Sequence, residues 1–207
     1  METDKLITIL FVVALVISIG SEIYRRRAGK TLSNKLLEAL YTEKFDVFDQ
    51  LIAEKRTQRL ISLFNRKFLL LNKSLLKGDH HQVMDQLQEF EKETMSDVQK
   101  VAVHSKAFYY FLSCGDKKNT TKYYKLLKEN KAFKDEKDLE RIYDTYILKG
   151  CRYLEETKEE AEGDPFLLAM VADMYSNRGD RENMQKYADM ARECAEVQVQ
   201  AQKRESK

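Results

Sequence analysis

The side chains best suited to acid–base or metal chemistry are few in this 207-residue chain. Its only histidines are His80, His81 and His104, and Asp79-His80-His81 places a carboxylate before two imidazoles. Those are zinc-ligand types, but a metal requires them to converge. Adjacent histidines at a bend diverge, and neither has a second histidine four residues on to share a helix face. Cys114, Cys151 and Cys194 are too widely spaced for a C-x-x-C pair, so neither a zinc site nor a disulfide framework is expected. Three free thiols suit a reducing compartment. The carboxylate pairs Glu155-Glu156 and Glu159-Glu160 sit in a charge-rich run and read as a hydrated helix face. No H-E-x-x-H, G-x-S-x-G, phosphate-loop or dinucleotide-glycine pattern occurs. These residues point to a non-enzymatic protein with no catalytic residue, no metal and no cofactor.

Composition then says what kind of scaffold is present. Hydrophobic residues make up 43% and charged residues 34%, with one proline and seven glycines. That is the profile of an all-α protein long enough to bury a core. The net charge is +2. Setting aside the first thirty residues removes five basic and three acidic groups, leaving 31 against 31. A nucleic-acid-binding domain normally carries a basic surplus, so nucleic acid is not expected as a partner.

The first thirty residues stand apart. LITILFVVALVISIG, residues 6–20, carries no charge, and extension to Ile23 gives eighteen residues. At about 1.5 Å per residue that just crosses a bilayer core. Leu6, Phe11, Leu15 and Ile19 would form the membrane anchor. The preceding METDK lacks the positive start of an export signal, whereas Arg25, Arg26, Arg27 and Lys30 follow the apolar run. Basic flanks remain on the cytoplasmic side, so Arg25, Arg26 and Arg27 act as the topology signal. The expectation is a single-pass membrane protein with its large domain in the cytoplasm. The alternative is a cleaved signal peptide, with Ser18 and Gly20 tolerating cleavage before Ser21 and an exported mature chain.

Beyond the anchor the chain repeats. Gly78, Gly115, Gly150 and Gly179 are 37, 35 and 29 residues apart, and a weaker turn at Glu43-Lys44 lies 35 before Gly78. Seven residues before these turns stand Leu36, Leu71, Phe108, Tyr143 and Ala172; four before stand Ala39, Ser74, Phe111, Tyr146 and Tyr175. Five after come Phe48, Val83, Thr120, Glu155 and Met184, and nine after come Ile52, Leu87, Tyr124, Glu159 and Ala188. Spacings of three and four mark one helix face on each side of a turn. Each unit is therefore a pair of antiparallel helices whose apolar stripes are buried by stacking, the logic of a solenoid. Ser96-Asp97 reads as a helix cap between hairpins. Gly163-Asp164-Pro165 reads as a second connector: a glycine stop, an Asp cap and a proline at the first helical position.

This pattern resembles the tetratricopeptide repeat. FLLAMVADMYSNRGDRENMQKYADMAREC carries the likeness best, through Ala172, Tyr175, Gly179 and Ala191; FYYFLSCGDKKNTTKYYKLL around Gly115 is the next copy. Glu155 and Glu159 depart from it, standing where apolar residues belong. The expected fold is all-α: the single N-terminal transmembrane helix read from the apolar run, followed by what the resemblance implies, an α-solenoid of about five antiparallel helical hairpins. It divides the chain into an anchor with a basic flank (1–30), a repeat domain (31–196) and a disordered tail (197–207). The resemblance also implies a groove lined by the first helix of each pair, presenting Phe68, Asn72, Ser105, Tyr109, Glu140, Asp144 and Asp173 to a partner. The Lys and Asn set that clamps a peptide's terminal carboxylate in some relatives is missing, so an internal segment, basic in character, is the expected ligand. The function expected is a membrane-anchored, protein-binding scaffold serving envelope assembly or quality control.

Overall fold

The computed structural model describes residues 24–205, and every regular element among them is a helix. The chain divides into two compact units at Thr94–Met95. The first contains α1 (residues 24–41), α2 (Phe45–Ala53), α3 (Lys55–Leu60), α4 (Leu63–Lys77) and α5 (His80–Glu91). The second contains α6 (Asp97–Ser113), α7 (Lys117–Lys128), α8 (Glu136–Tyr146), α9 (Leu154–Glu160), α10 (Pro165–Arg178) and α11 (Arg181–Glu205). The expected anchor residues Leu6, Phe11, Leu15 and Ile19 lie outside the described residues. Among the described residues no helix is long and apolar enough to cross a membrane. Arg25, Arg26 and Arg27 are exposed at the start of α1.

Three bends are built in the same way. Gly78, Gly115 and Gly179 have φ of 66°, 71° and 82°, a left-handed conformation that costs a residue with a Cβ about 1–2 kcal/mol. In each, the glycine amide donates to the carbonyl three residues back. The following Asp amide donates five residues back: Asp79 to Ser74, Asp116 to Phe111, Asp180 to Tyr175, at 2.9–3.0 Å. That pairing is the Schellman stop, which satisfies carbonyls left open by the ending helix. The same Asp then caps the next helix, accepting from the amide of Gln82, Asn119 or Asn183 at 3.0–3.1 Å. A stop and a start within two residues reverse the chain, and α4/α5, α6/α7 and α10/α11 pack as pairs. The Glu43 bend copies the stop without glycine: Glu43, φ 54°, donates to Leu40, and Lys44 donates to Ala39.

Burial follows the phase of these turns. In the first unit Leu36, Ala39, Phe48, Leu71, Ser74, Val83 and Leu87 are all buried. Leu32, Leu36, Ala39 and Leu40 of α1 pack with Phe48, Ile61 and Leu69, flanked by Phe45, Leu51, Ile52, Leu60 and Leu70. Each of these leucine, isoleucine and phenylalanine side chains contributes about 1.5–3 kcal/mol when fully buried. In the second unit Phe108, Phe111, Thr120, Ala172 and Tyr175 are buried likewise.

The fourth bend departs from expectation. The left-handed residue there is Lys149, φ 54°, and not Gly150. Counted from Lys149, the buried residues fall into place: Ile142 and Thr145 seven and four before it, Leu154, Thr157 and Ala161 five, eight and twelve after it. Counted from Gly150, the positions are half-buried Tyr143 and Tyr146 and exposed Glu155 and Glu159. The glycine answers a different demand. A Cβ on Gly150 would lie 2.5 Å from Asp144 Oδ2, so the carboxylate occupies the space a side chain would need. The loop 147–153 is wider than a Schellman turn, and α9 packs against α10.

The connector at Gly163 fulfils its reading. Gly163 has φ 76°, and Asp164 accepts from the Phe166 and Leu167 amides with Pro165 at the helix start. Ser96 forms a reciprocal capping box with Gln99 at the entry to α6. α11 runs on to Glu205, through most of the segment expected as a disordered tail. Its Ala, Glu, Gln and Lys residues are strong helix formers, and Gln198 Nε2 donates to the Gly163 carbonyl at 3.1 Å.

Candidate functional site

The second unit contains an apolar groove between α6, α8 and α10, made of two adjoining clefts of about 530 and 340 Å³. Tyr109, Ile142 and Phe166 line both. Local structure explains each position. Phe108 and Phe111 face the core of α6, so Tyr109 and Leu112, each one residue further along at about 100° per residue, turn toward the cleft. Asp164 and Pro165 fix the start of α10, which places Phe166 in its first turn beside the groove mouth. Tyr109 is 51% exposed and Phe166 56% exposed. Two half-exposed aromatic rings on one concave surface form a patch of the kind that marks interaction sites.

The two ends differ in charge. The larger cleft adds Leu112, Tyr146 and Ile147 to the shared residues, with Lys117 and Lys149 as its charged lining among the described residues. The smaller adds Asp138, Glu160 and Asp164 around a single cation, Arg141. Burial pushes the Tyr146 hydroxyl well above the ordinary tyrosine range, and the neighbouring Asp173 carboxylate pushes it further. Burial also raises Tyr109, helped by Asp138 and Asp135. Both hydroxyls therefore remain protonated donors at neutral pH.

Arg141 forms part of the floor and is 1% exposed. Its Nη2 donates to Glu160 Oε2 at 2.6 Å, with Asp138 Oδ1 at 3.5 Å. Its Nε and Nη1 are buried with no hydrogen-bond partner among the described residues. A guanidinium held this way is tied to the Glu160 pairing, because a buried charge requires a counter-ion. Glu160 is also paired with Lys137 at 2.7 Å. The Lys137 bond first, and the Arg141 bond next, hold its carboxyl below the usual range.

Of the residues expected to face a groove, the structure puts Tyr109 alone into the cleft lining. Ser105 is half-buried on α6 outside it. Glu140 points to Lys128 at 2.5 Å and accepts from the Tyr153 hydroxyl at 2.8 Å. The Lys128 bond first, then Tyr153, lowers its pKa. Asp144 is a correction, because it is buried and faces its own loop, accepting from the Arg152 amide at 3.1 Å. A carboxylate committed to a loop amide is not available to a partner. Asp173 is exposed, with its carboxylate against the Tyr146 hydroxyl. Phe68 and Asn72 belong to the first unit. Phe68 stacks on Phe64 at 5.9 Å, and Asn72 Nδ2 donates back to the Phe68 carbonyl at 2.9 Å.

The sequence reading missed Phe166, Ile142 and Arg141. Phe166 was accessible to it, as the first side chain after the Asp164-Pro165 connector. Arg141 was not, since a charged residue in a charged helix gives no sign of burial. His81 sits with Asp85, Nδ1 to Oδ2 at 3.0 Å, on the exposed surface of α5. Among the described residues no group of three His, Cys, Asp or Glu side chains is placed to hold a metal. The three cysteines are free thiols.

No family model, no curated protein and no solved structure matches this chain.

Proposed function

We propose that this protein is a membrane-tethered, non-enzymatic adaptor that captures an extended protein segment in the α6/α8/α10 groove. The observation that carries this reading is the groove itself, in which half-exposed Tyr109 and Phe166 stand beside Ile142 between a lysine end and a carboxylate end. Aromatic anchors in a concave site supply most of the affinity in such interfaces. Charges at the rim set orientation and specificity. The segment that fits has one or two apolar side chains for the floor. It carries an acidic residue toward Lys117 and Lys149 and a basic one toward Asp138.

The repeated stop-and-cap turns at Gly78, Gly115 and Gly179 support a tetratricopeptide-like solenoid as the scaffold. The uncharged apolar run at residues 6–20 with its following arginines supports a single-span tether, with the helical domain in the cytoplasm. Tethering raises the effective concentration of a captured partner beside membrane machinery.

The test is site-specific photo-crosslinking in cells, with a photoreactive phenylalanine analogue at Phe166 and at exposed Glu182 on α11 as control. The expected result is one discrete adduct from the groove position and none from the control. Changing Tyr109 and Phe166 together to alanine should reduce capture by about tenfold or more. Equal adducts from both positions, or full capture by a folded double variant, would refute the groove. A reporter fused after Lys207 reads the membrane orientation separately.

A further inference from the structure

Neutrality beyond residue 30 conceals a strong segregation of charge in the second unit. Residues 117–134 contain seven lysines and a single acid, Glu129, a net of +6. Residues 135–164 contain eleven acids and five bases, a net of −6. Helix geometry concentrates the positive charge further. On α7, Lys118, Lys122 and Lys125 follow one another at four and three residues and so fall within about 60° of arc. Thr120, Tyr123 and Leu127 are buried on the opposite side. Lys117, Thr121, Tyr124 and Lys128 occupy the flank toward α8. There Thr121 meets the Tyr143 hydroxyl at 3.0 Å, Tyr124 stacks on Tyr143 at 3.9 Å, and Lys128 pairs with Glu140. Lys118, Lys122 and Lys125 are exposed, as are Lys131 and Lys134 in the segment that follows.

We infer that this lysine ridge is a contact surface for an anionic phospholipid bilayer. The inference rests on the tether reading, which keeps the domain within reach of a membrane. Three features select lipid among polyanions. The ridge is a helix face whose aromatic rings are already engaged within the protein: Tyr123 is buried with Lys122 Nζ 5.2 Å from its ring centroid, and Tyr124 is stacked on Tyr143. It therefore offers no platform for nucleobases. Leu126 and Phe133, the apolar residues beside its lysines in the chain, are half-buried, which leaves little of the exposed apolar anchor an acidic protein segment would need for affinity. A headgroup layer requires only clustered positive charge, at roughly fivefold in binding for each lysine brought to the surface. The arginines at 25–27 place a second basic group next to the expected anchor, where the same anionic leaflet would lie.

The test uses the full chain in nanodiscs of phosphatidylcholine alone and of phosphatidylcholine with about one-third phosphatidylglycerol. Lysine acetylation rates are read by mass spectrometry. In the anionic discs Lys118, Lys122 and Lys125 should react at least about fivefold more slowly, whereas exposed Lys186 keeps its rate. High salt should abolish the difference, because screening removes contacts of this type. In a variant with Lys118, Lys122 and Lys125 all changed to Glu, Lys131 and Lys134 should lose their protection. Equal rates in both discs overturn the inference. So does protection that grows with protein concentration in neutral discs, which indicates a second copy, or stronger protection by an added nucleic-acid duplex. A chain that does not stay in neutral discs would count against the tether alone. The ridge is then tested with phosphatidylglycerol vesicles added in solution, where protection supports it and none overturns it.

Discussion

Gly150→Ala tests the packing that defines the fourth bend. An alanine Cβ there would lie 2.5 Å from Asp144 Oδ2 and 2.7 Å from both Cγ and Oδ1. Ordinary contact begins near 3.5 Å, so the carboxylate must retreat by roughly 1 Å. Its bond from the Arg152 amide, now 3.1 Å, would then stretch past hydrogen-bonding range. Losing a hydrogen bond to a charged group costs about 1.5–3 kcal/mol, and overpacking a filled site costs about 1–3 kcal/mol. The two overlap, because movement that relieves the clash is movement that breaks the bond. A net destabilisation of about 2–3 kcal/mol is expected. Gly150 is not among the left-handed glycines, so alanine itself strains nothing there. In an Asp144→Ala background the same substitution should therefore be neutral or mildly stabilising. The expected coupling is about 2 kcal/mol, well outside the additivity of independent sites. Urea unfolding followed by helical circular dichroism gives the four stabilities, and native-state hydrogen exchange over residues 139–161 localises the change. A coupling below about 0.5 kcal/mol would refute the close-approach account of this glycine.

Two further substitutions test the turns. Glu43 performs a glycine's task at φ 54°, so Glu43→Gly should stabilise the first unit by about 0.5–1 kcal/mol, relief of strain exceeding the added chain entropy. A lower denaturation midpoint would show that the Glu43 side chain contributes more than its strain costs. Asp116 titrates below its ordinary 3.8, chiefly through the Asn119 amide bond and then the Asn119 side chain. A carboxyl depressed in the folded state contributes fully above its unfolded pKa and loses that contribution as pH falls through the folded value. Asp116→Asn keeps a good cap without a titrating group. Stability should thus fall less steeply than in the parent between about pH 4 and pH 2. Parallel acid limbs in the two proteins would refute the assignment.

The sequence by itself determined the local grammar of this protein. Gly-Asp at residues 78, 115 and 179 specifies a left-handed stop followed by an N-cap, and both are properties of neighbouring atoms. The apolar phase around those turns and the Glu43 bend named Leu36, Leu71, Phe108, Phe111 and Val83 as buried, since helix periodicity alone decides which face lacks water. It also identified Ser96 and Asp164 as caps. Only the tertiary structure decided the rest. Gly150 looked like a fourth stop, but its lack of a side chain serves Asp144 and leaves the left-handed position to Lys149. Asp144 and Glu140 looked like free acids on a groove; one is consumed by a loop amide and the other by Lys128 and Tyr153. Arg141 carries no mark of burial in its sequence neighbourhood, yet it is buried in the groove lining. A turn is encoded within about six residues, so it can be read directly. The environment of a charged side chain is set by whichever distant segment packs against it, and residue type and spacing do not carry that information.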